Sequence, residues 1–274
     1  MKKIVSLLIV ASSLSGLVAC GNPSSDSKNN PDTVRAKSLE DSPTPYSVAD
    51  ADRTKSVDQL LVLRKQMIAL EGQLIAPATE DMATYADFLT APNTGLARLF
   101  PRTQSDSNAN ERKPLLVSGG GSYYQFKGKT NNYGYGSDIE YSFYNNKPQF
   151  SVGFAGVDFG FYAQLGKTDI RQINENNPSV AFALSYPSVN GQEEPAWRAE
   201  QRKWMDTGVV NGGVTFKYST EAVVGMSYVV RSVNESRYDI VAVLQVVRRD
   251  PTDGSLIIAW KLLKELEKPV LKRN

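Results

Sequence analysis

Three β-rich runs near the C-terminus limit the possible folds more than any other feature: Ala222–Arg231, Tyr238–Arg249 and Ser255–Leu263. They are joined by Ser232–Arg237 and by Asp250-Pro251-Thr252-Asp253-Gly254. A parallel crossover needs a dozen or more residues, so connections this short make the neighbours antiparallel. In the middle run Val241, Val243 and Gln245 alternate with Ala242, Leu244 and Val246. Both faces are apolar, which predicts a central strand covered on one side by helices from earlier in the chain.

Further strand signals lie upstream. Leu115–Ser118 and Ser122–Lys127 flank Gly119-Gly120-Gly121, and Asp138–Tyr144 and Gln149–Ala155 flank Asn145-Asn146-Lys147-Pro148. Both read as hairpins. Ser179–Ser185 reads as a buried strand and Asp169–Asn176 as one or two helical turns. Glu193–Met205, with Trp197, Arg198 and Trp204, fits either a helix or an irregular lid.

Helical spacing comes first in the body. Ser56-Val57-Asp58-Gln59 fits a capping box. Apolar residues then recur at Val57, Leu60, Leu61, Met67, Ile68, Leu74 and Ile75, with Leu63 and Leu70 widening the stripe. A shorter helix is expected from about Glu80 to Leu89, closed by Thr90-Ala91-Pro92. Packing on the sheet is the expected use of these helices; as a partner-binding coiled coil the stripe is short. The fold class is therefore α+β: one antiparallel β-rich domain over residues 56–274, with N-terminal helices packed on the sheet.

The N-terminus reads differently. Lys2 and Lys3 precede an apolar stretch, Ile4–Leu14, broken by serines. This is the pattern of a secretory signal peptide, and it is short of the ~20 apolar residues a spanning helix needs. Leu17-Val18-Ala19-Cys20 closes it. That sequence resembles the lipobox of bacterial lipoproteins. The resemblance implies cleavage after Ala19, a diacylglyceryl thioether on Cys20, and an acyl chain such as palmitate on the new amino group. Gly21 in place of Asp resembles the class destined for the outer membrane in Gram-negative hosts. Two or three acyl chains hold a protein at a membrane where one holds it only marginally. The resemblance covers about the first 21 residues; the body carries no motif of a family with a known activity.

Residues 21–55 are rich in Ser, Asn, Asp, Pro and Lys and have almost no large apolar groups. Such a segment is expected to be a disordered tether with a mean reach of roughly 30–35 Å.

Composition excludes several chemistries. There is no histidine and only one cysteine, Cys20. Histidine-based nucleophile systems and zinc sites are thereby ruled out, and with Cys20 lipidated neither a disulfide nor a free thiol remains. The chain has 31 basic and 29 acidic residues; removing 1–19, with Lys2 and Lys3, leaves 29 of each. A balanced chain without a basic run gives no footprint for nucleic acid. Lys261, Lys264, Lys268, Lys272 and Arg273 make the C-terminus locally basic, as a solvated tail would be.

Three groups are candidates for function. Ser118–Tyr162 holds 13 of the 23 Tyr and Phe residues. Within it Tyr123, Tyr124, Tyr133 and Tyr135 stand among glycines and are candidate ligand-binding residues, for stacking on a sugar or peptide. Asp138 and Glu140, two apart in an expected strand, share a face. With Asp158 they are candidate catalytic carboxylates or calcium ligands. Gly119-Gly120-Gly121 lacks the spacing of a phosphate loop, and no cofactor motif is present. The reading is a membrane-anchored, non-catalytic binding or structural module of the bacterial envelope, with a glycan or protein partner. Two alternatives are a carboxylate-dependent hydrolase of envelope glycans and an accessory subunit of an envelope complex.

Overall fold

The computed structural model describes residues 50–102, 121–131, 136–153 and 156–273. The chain divides into an N-terminal unit, Met1–Lys55, and the body, Ser56–Asn274. Among the described residues there are five helices: α1 (Asp50–Ile75), α2 (Thr79–Thr84), α3 (Ala86–Leu89), α4 (Pro178–Ser185) and α5 (Glu194–Asp206). The strands are β1 (Thr94–Leu99), β2 (Tyr123–Tyr124), β3 (Ile139–Tyr144), β4 (Lys147–Ser151), β5 (Phe159–Gly166) and β6 (Val209–Asn211), then β7 (Val214–Phe216), β8 (Ser219–Glu221), β9 (Ser227–Asn234), β10 (Tyr238–Arg249) and β11 (Leu256–Leu266).

The expected meander is β9–β10–β11, at the centre of a five-stranded antiparallel sheet ordered β1-β11-β10-β9-β5. Leu244 pairs with Tyr228 and Trp260, and Val243 with Val229 and Lys261. The alternation along β10 sorts its side chains onto two cores. Ala242, Leu244 and Val246 face a second sheet, β2-β3-β4-β8, and pack with Tyr124, Phe126, Tyr141, Phe150 and Trp260. Val241 and Val243 face the helices and pack with Phe88, Phe161, Trp197 and Trp204. The architecture is α+β, three layers deep: helices, five-stranded sheet, four-stranded sheet.

The two larger sheets are stitched on both sides. The Phe100 N–H donates to the Gly121 carbonyl and the Arg102 N–H to that of Tyr141. On the other side Tyr162 and Lys217 exchange both backbone bonds, at 2.7 and 3.0 Å. Across β1 and β11, Gly95 stands opposite Trp260, and a side chain there would enter the indole. The Asn145-Asn146 turn between β3 and β4 has both residues at positive φ, the geometry that a two-residue hairpin demands.

The helices differ from expectation in instructive ways. Residues 179–185 form helix α4, not a strand. Asn177 caps it, accepting from the N–H groups of Ser179 (3.0 Å) and Val180 (3.4 Å), and Pro178 opens the first turn. Capping side chain and N1 proline together outweigh the short apolar run. The 193–205 segment is helix α5, seated by Trp197 and Trp204, both buried. The expected helix over 80–89 is two short ones, α2 and α3, docked by Tyr85 and Phe88 against the helix-side core. Asn211-Gly212-Gly213-Val214 turns the β6–β7 hairpin, which the sequence reading passed over.

Helix α1 starts at Asp50 rather than at a cap on Ser56, with Asp50 and Asp52 in its first turn. Acidic groups there suit the helix dipole. Its large apolar residues Val57, Leu60, Leu61, Val62, Leu63, Met67 and Leu70 are 40–65% exposed. The N-terminal docking on the sheet is thus made by α2 and α3. Among the described residues no helix is long and apolar enough to cross a membrane.

Candidate functional site

The two aspartates singled out by sequence converge on one turn, between β9 and β10. Strand β3 begins only at Ile139, so Asp138 precedes it and lies at the end of the inter-sheet layer, fully buried. Its Oδ2 accepts from the Phe126 N–H at 2.8 Å, and its Oδ1 from Asn234 Nδ2 at 3.4 Å. The hydroxyls of Ser232 and Tyr238 also bear on it. Asn234 Nδ2 reaches Ser232 Oγ at 2.8 Å, and the Tyr238 hydroxyl donates to the Gly136 carbonyl. Burial is the dominant influence and pushes the Asp138 carboxyl up to about 7, against the pull of these hydrogen bonds.

Asp158 reaches the next residue of the same turn. Its Oδ1 accepts from the Glu235 N–H at 2.8 Å, and Gln201 Nε2 on α5 holds the Asp158 carbonyl at 2.8 Å. Burial again dominates and raises its carboxyl to about 7; the Glu235 charge adds to this and Arg237 opposes it.

Glu140 goes elsewhere. It stands opposite Tyr123 and Ser151 in the second sheet, and its Oε1 meets Arg102 Nη1 at 3.3 Å. The expected three-carboxylate cluster therefore resolves into a pair of aspartates at the β9–β10 turn and a separate ion pair. Among the described residues no three acidic or thiol side chains stand close enough to hold a metal.

Tyr123 and Tyr124 are core residues. Both are buried, and the Tyr124 ring lies 5.8 Å from Phe126 and 6.0 Å from Trp260. Neither offers an exposed face for stacking. Tyr133, Tyr135 and Cys20, together with the strand expected at 115–118, fall outside the described residues. The C-terminal segment is pinned rather than free: Lys272 pairs with Glu193 and Arg273 with Glu235, and the Lys272 N–H donates to the Gln192 carbonyl.

Chemically, Asp138 is a group able to hold or release a proton near neutral pH. Its oxygens already accept bonds from the chain itself, and among the described residues it is fully buried. Sequence reasoning missed a cavity of about 220 Å³ between β11 and the turn after β2, lined by Lys127, Lys129, Lys264 and Trp260 among others. Lys127-Gly128-Lys129 was its only local signal. Lys127 is engaged by Glu265 at 2.6 Å, and Lys129 donates to the Thr94 carbonyl at 3.0 Å.

Comparison with known protein families, with characterised proteins and with solved structures gives no match to this chain.

Proposed function

We propose that this chain is a lipid-anchored protein of the bacterial envelope that acts by binding a protein partner. The lipobox-like Leu17-Val18-Ala19-Cys20 supports the anchor. The observation that carries the binding role is α1, a 26-residue helix on which Val57, Leu60, Leu61, Val62, Leu63, Met67 and Leu70 stand exposed. Contiguous apolar surface of this kind marks interaction sites in soluble domains. The burial of Tyr123 and Tyr124 moves the support from a glycan partner to a protein one.

Cell fractionation tests the anchor. The wild-type chain is expected in the membrane pellet and Cys20→Ala in the soluble fraction; a variant that stays in the pellet removes the lipid from the reading.

A second reading, a carboxylate-dependent hydrolase of envelope glycans, is favoured by one observation: Asp138 and Asp158 are both raised to about 7 beside the same turn. It requires a hydrolytic activity on glycan fragments that Asp138→Asn or Asp158→Asn abolishes. Activity unaffected by both substitutions removes it.

A further inference from the structure

Along α1, Leu60, Leu63, Met67 and Leu70 follow one another at intervals of three, four and three, and Leu74 continues the series in the sequence. An apolar repeat of 3.5 residues has the spacing of a coiled-coil seam, here two heptads long. The four described members of the seam are 40–65% exposed. The helix is thus built for a partner helix bearing the same repeat.

We propose that α1 pairs, parallel and in register, with the α1 of a second copy of this chain. Three features favour that occupant. Parallel in-register copies place identical apolar layers opposite one another, so every knob finds the hole its own sequence makes. The flanking positions are compatible: Gln59 of one copy falls beside Arg64 of the other and Gln66 beside Glu71, with no like charges opposed. Finally, the proposal rests on the anchored reading in one respect. Chains held at a common membrane by Cys20 meet at high local concentration, which strengthens a short seam. Val57 flanks the seam, while the exposed Leu61 and Val62 stand farther round the helix, one on each side.

Cysteine crosslinking of the full chain in cell membranes tests this. Leu63→Cys puts a thiol on the seam, and Lys65→Cys puts one on the opposite side of the helix. After mild oxidation Leu63→Cys is expected to give a band at twice the monomer mass, about tenfold more strongly than Lys65→Cys, because only seam positions bring two Cα atoms within disulfide reach. The wild-type chain, with Cys20 alone, is the blank. As a second measurement, Leu60→Asp is expected to return the detergent-solubilised chain to monomer in sedimentation while the tryptophan fluorescence of the body is unchanged. Equal crosslinking at both positions, or none, overturns the proposal. A Leu63→Cys adduct whose mass is not twice that of the monomer also overturns it, while leaving the binding reading intact. Seam crosslinks in a chain that does not pellet with membranes sustain the pairing and overturn the anchor.

Discussion

The Arg231 guanidinium clasps the Asp239 carboxylate with two bonds, Nε to Oδ1 at 2.9 Å and Nη2 to Oδ2 at 2.6 Å, and both side chains are buried. Val241 pairs with Arg231 across β9 and β10, so Asp239 is its diagonal neighbour on the helix-facing side. The remaining donor, Nη1, serves the carbonyls of Ala183 (3.0 Å) and Tyr186 (2.6 Å), at the C-terminal end of α4. One cation thus neutralises a buried anion and satisfies helix-end acceptors that have no partner within the helix. Removing one member of a buried pair strands the other. Arg231→Met is expected to lower stability by about 3–5 kcal/mol in urea denaturation. Glu194→Ala, which breaks an exposed pair with Arg198, is expected to change it by less than about 0.5 kcal/mol.

Asp138 and Asp158 make stability depend on pH. Both carboxyls are raised by burial to about 7 in the folded chain, whereas in the unfolded chain they titrate near 4. Between those values the folded state holds protons that the unfolded state has released. Their contribution to stability is therefore full below about pH 4, falls as pH rises toward about 7, and is flat above, each group contributing up to about 1.4 kcal/mol per pH unit. Asp138→Asn is expected to remove about half of that slope. Denaturation curves across the window check it; an undiminished slope would place the titration elsewhere.

Gly95 is predicted to reject any side chain. A Cβ there would lie 2.6 Å from Trp260 Cζ2 and 2.7 Å from Cε2, within a buried indole that cannot swing away. Gly95→Ala is expected to cost about 1–3 kcal/mol through overpacking, and to shift the tryptophan emission as the ring is displaced.

Asn177 tests the cap that overturned the strand reading of 179–185. Asn177→Ala removes the acceptor for two N–H groups of α4. The expected loss is about 1 kcal/mol, measured as a lower denaturation midpoint with an unchanged slope.

Much of the fold was legible because some elements carry redundant signals. β10 is long, apolar on both faces and bounded by turn residues, and the structure has it at Tyr238–Arg249. The β3–β4 hairpin was equally plain from Asn145-Asn146. Ser179–Ser185 was not, because a short apolar run has no period to distinguish helix from strand. Its signal was Asn177-Pro178, just outside the run. For α1 the apolar period announces a face but not what meets it, since that depends on residues far away in sequence. The aspartates illustrate the same limit. Asp138 beside a turn looks solvent-facing, yet its partners are Phe126, in the turn after β2, and Asn234, at the end of β9 and far away in sequence. Arg231 and Asp239 could have been found: opposite charges inside apolar strand runs have to meet.

All three tryptophans of the chain, Trp197, Trp204 and Trp260, are buried in the layered body, and α1 has none. Tryptophan fluorescence therefore follows the sheets and helix α5, while helical ellipticity is weighted toward α1, the longest of the described helices. A helix with little tertiary cover opens at a small fraction of the global unfolding free energy. Its amides should exchange hydrogen far sooner than those of β10, and its ellipticity should fade before the fluorescence changes. When a partner helix covers the seam, the two melting curves should close on one another. The gap between them is an internal gauge of association, readable without a label.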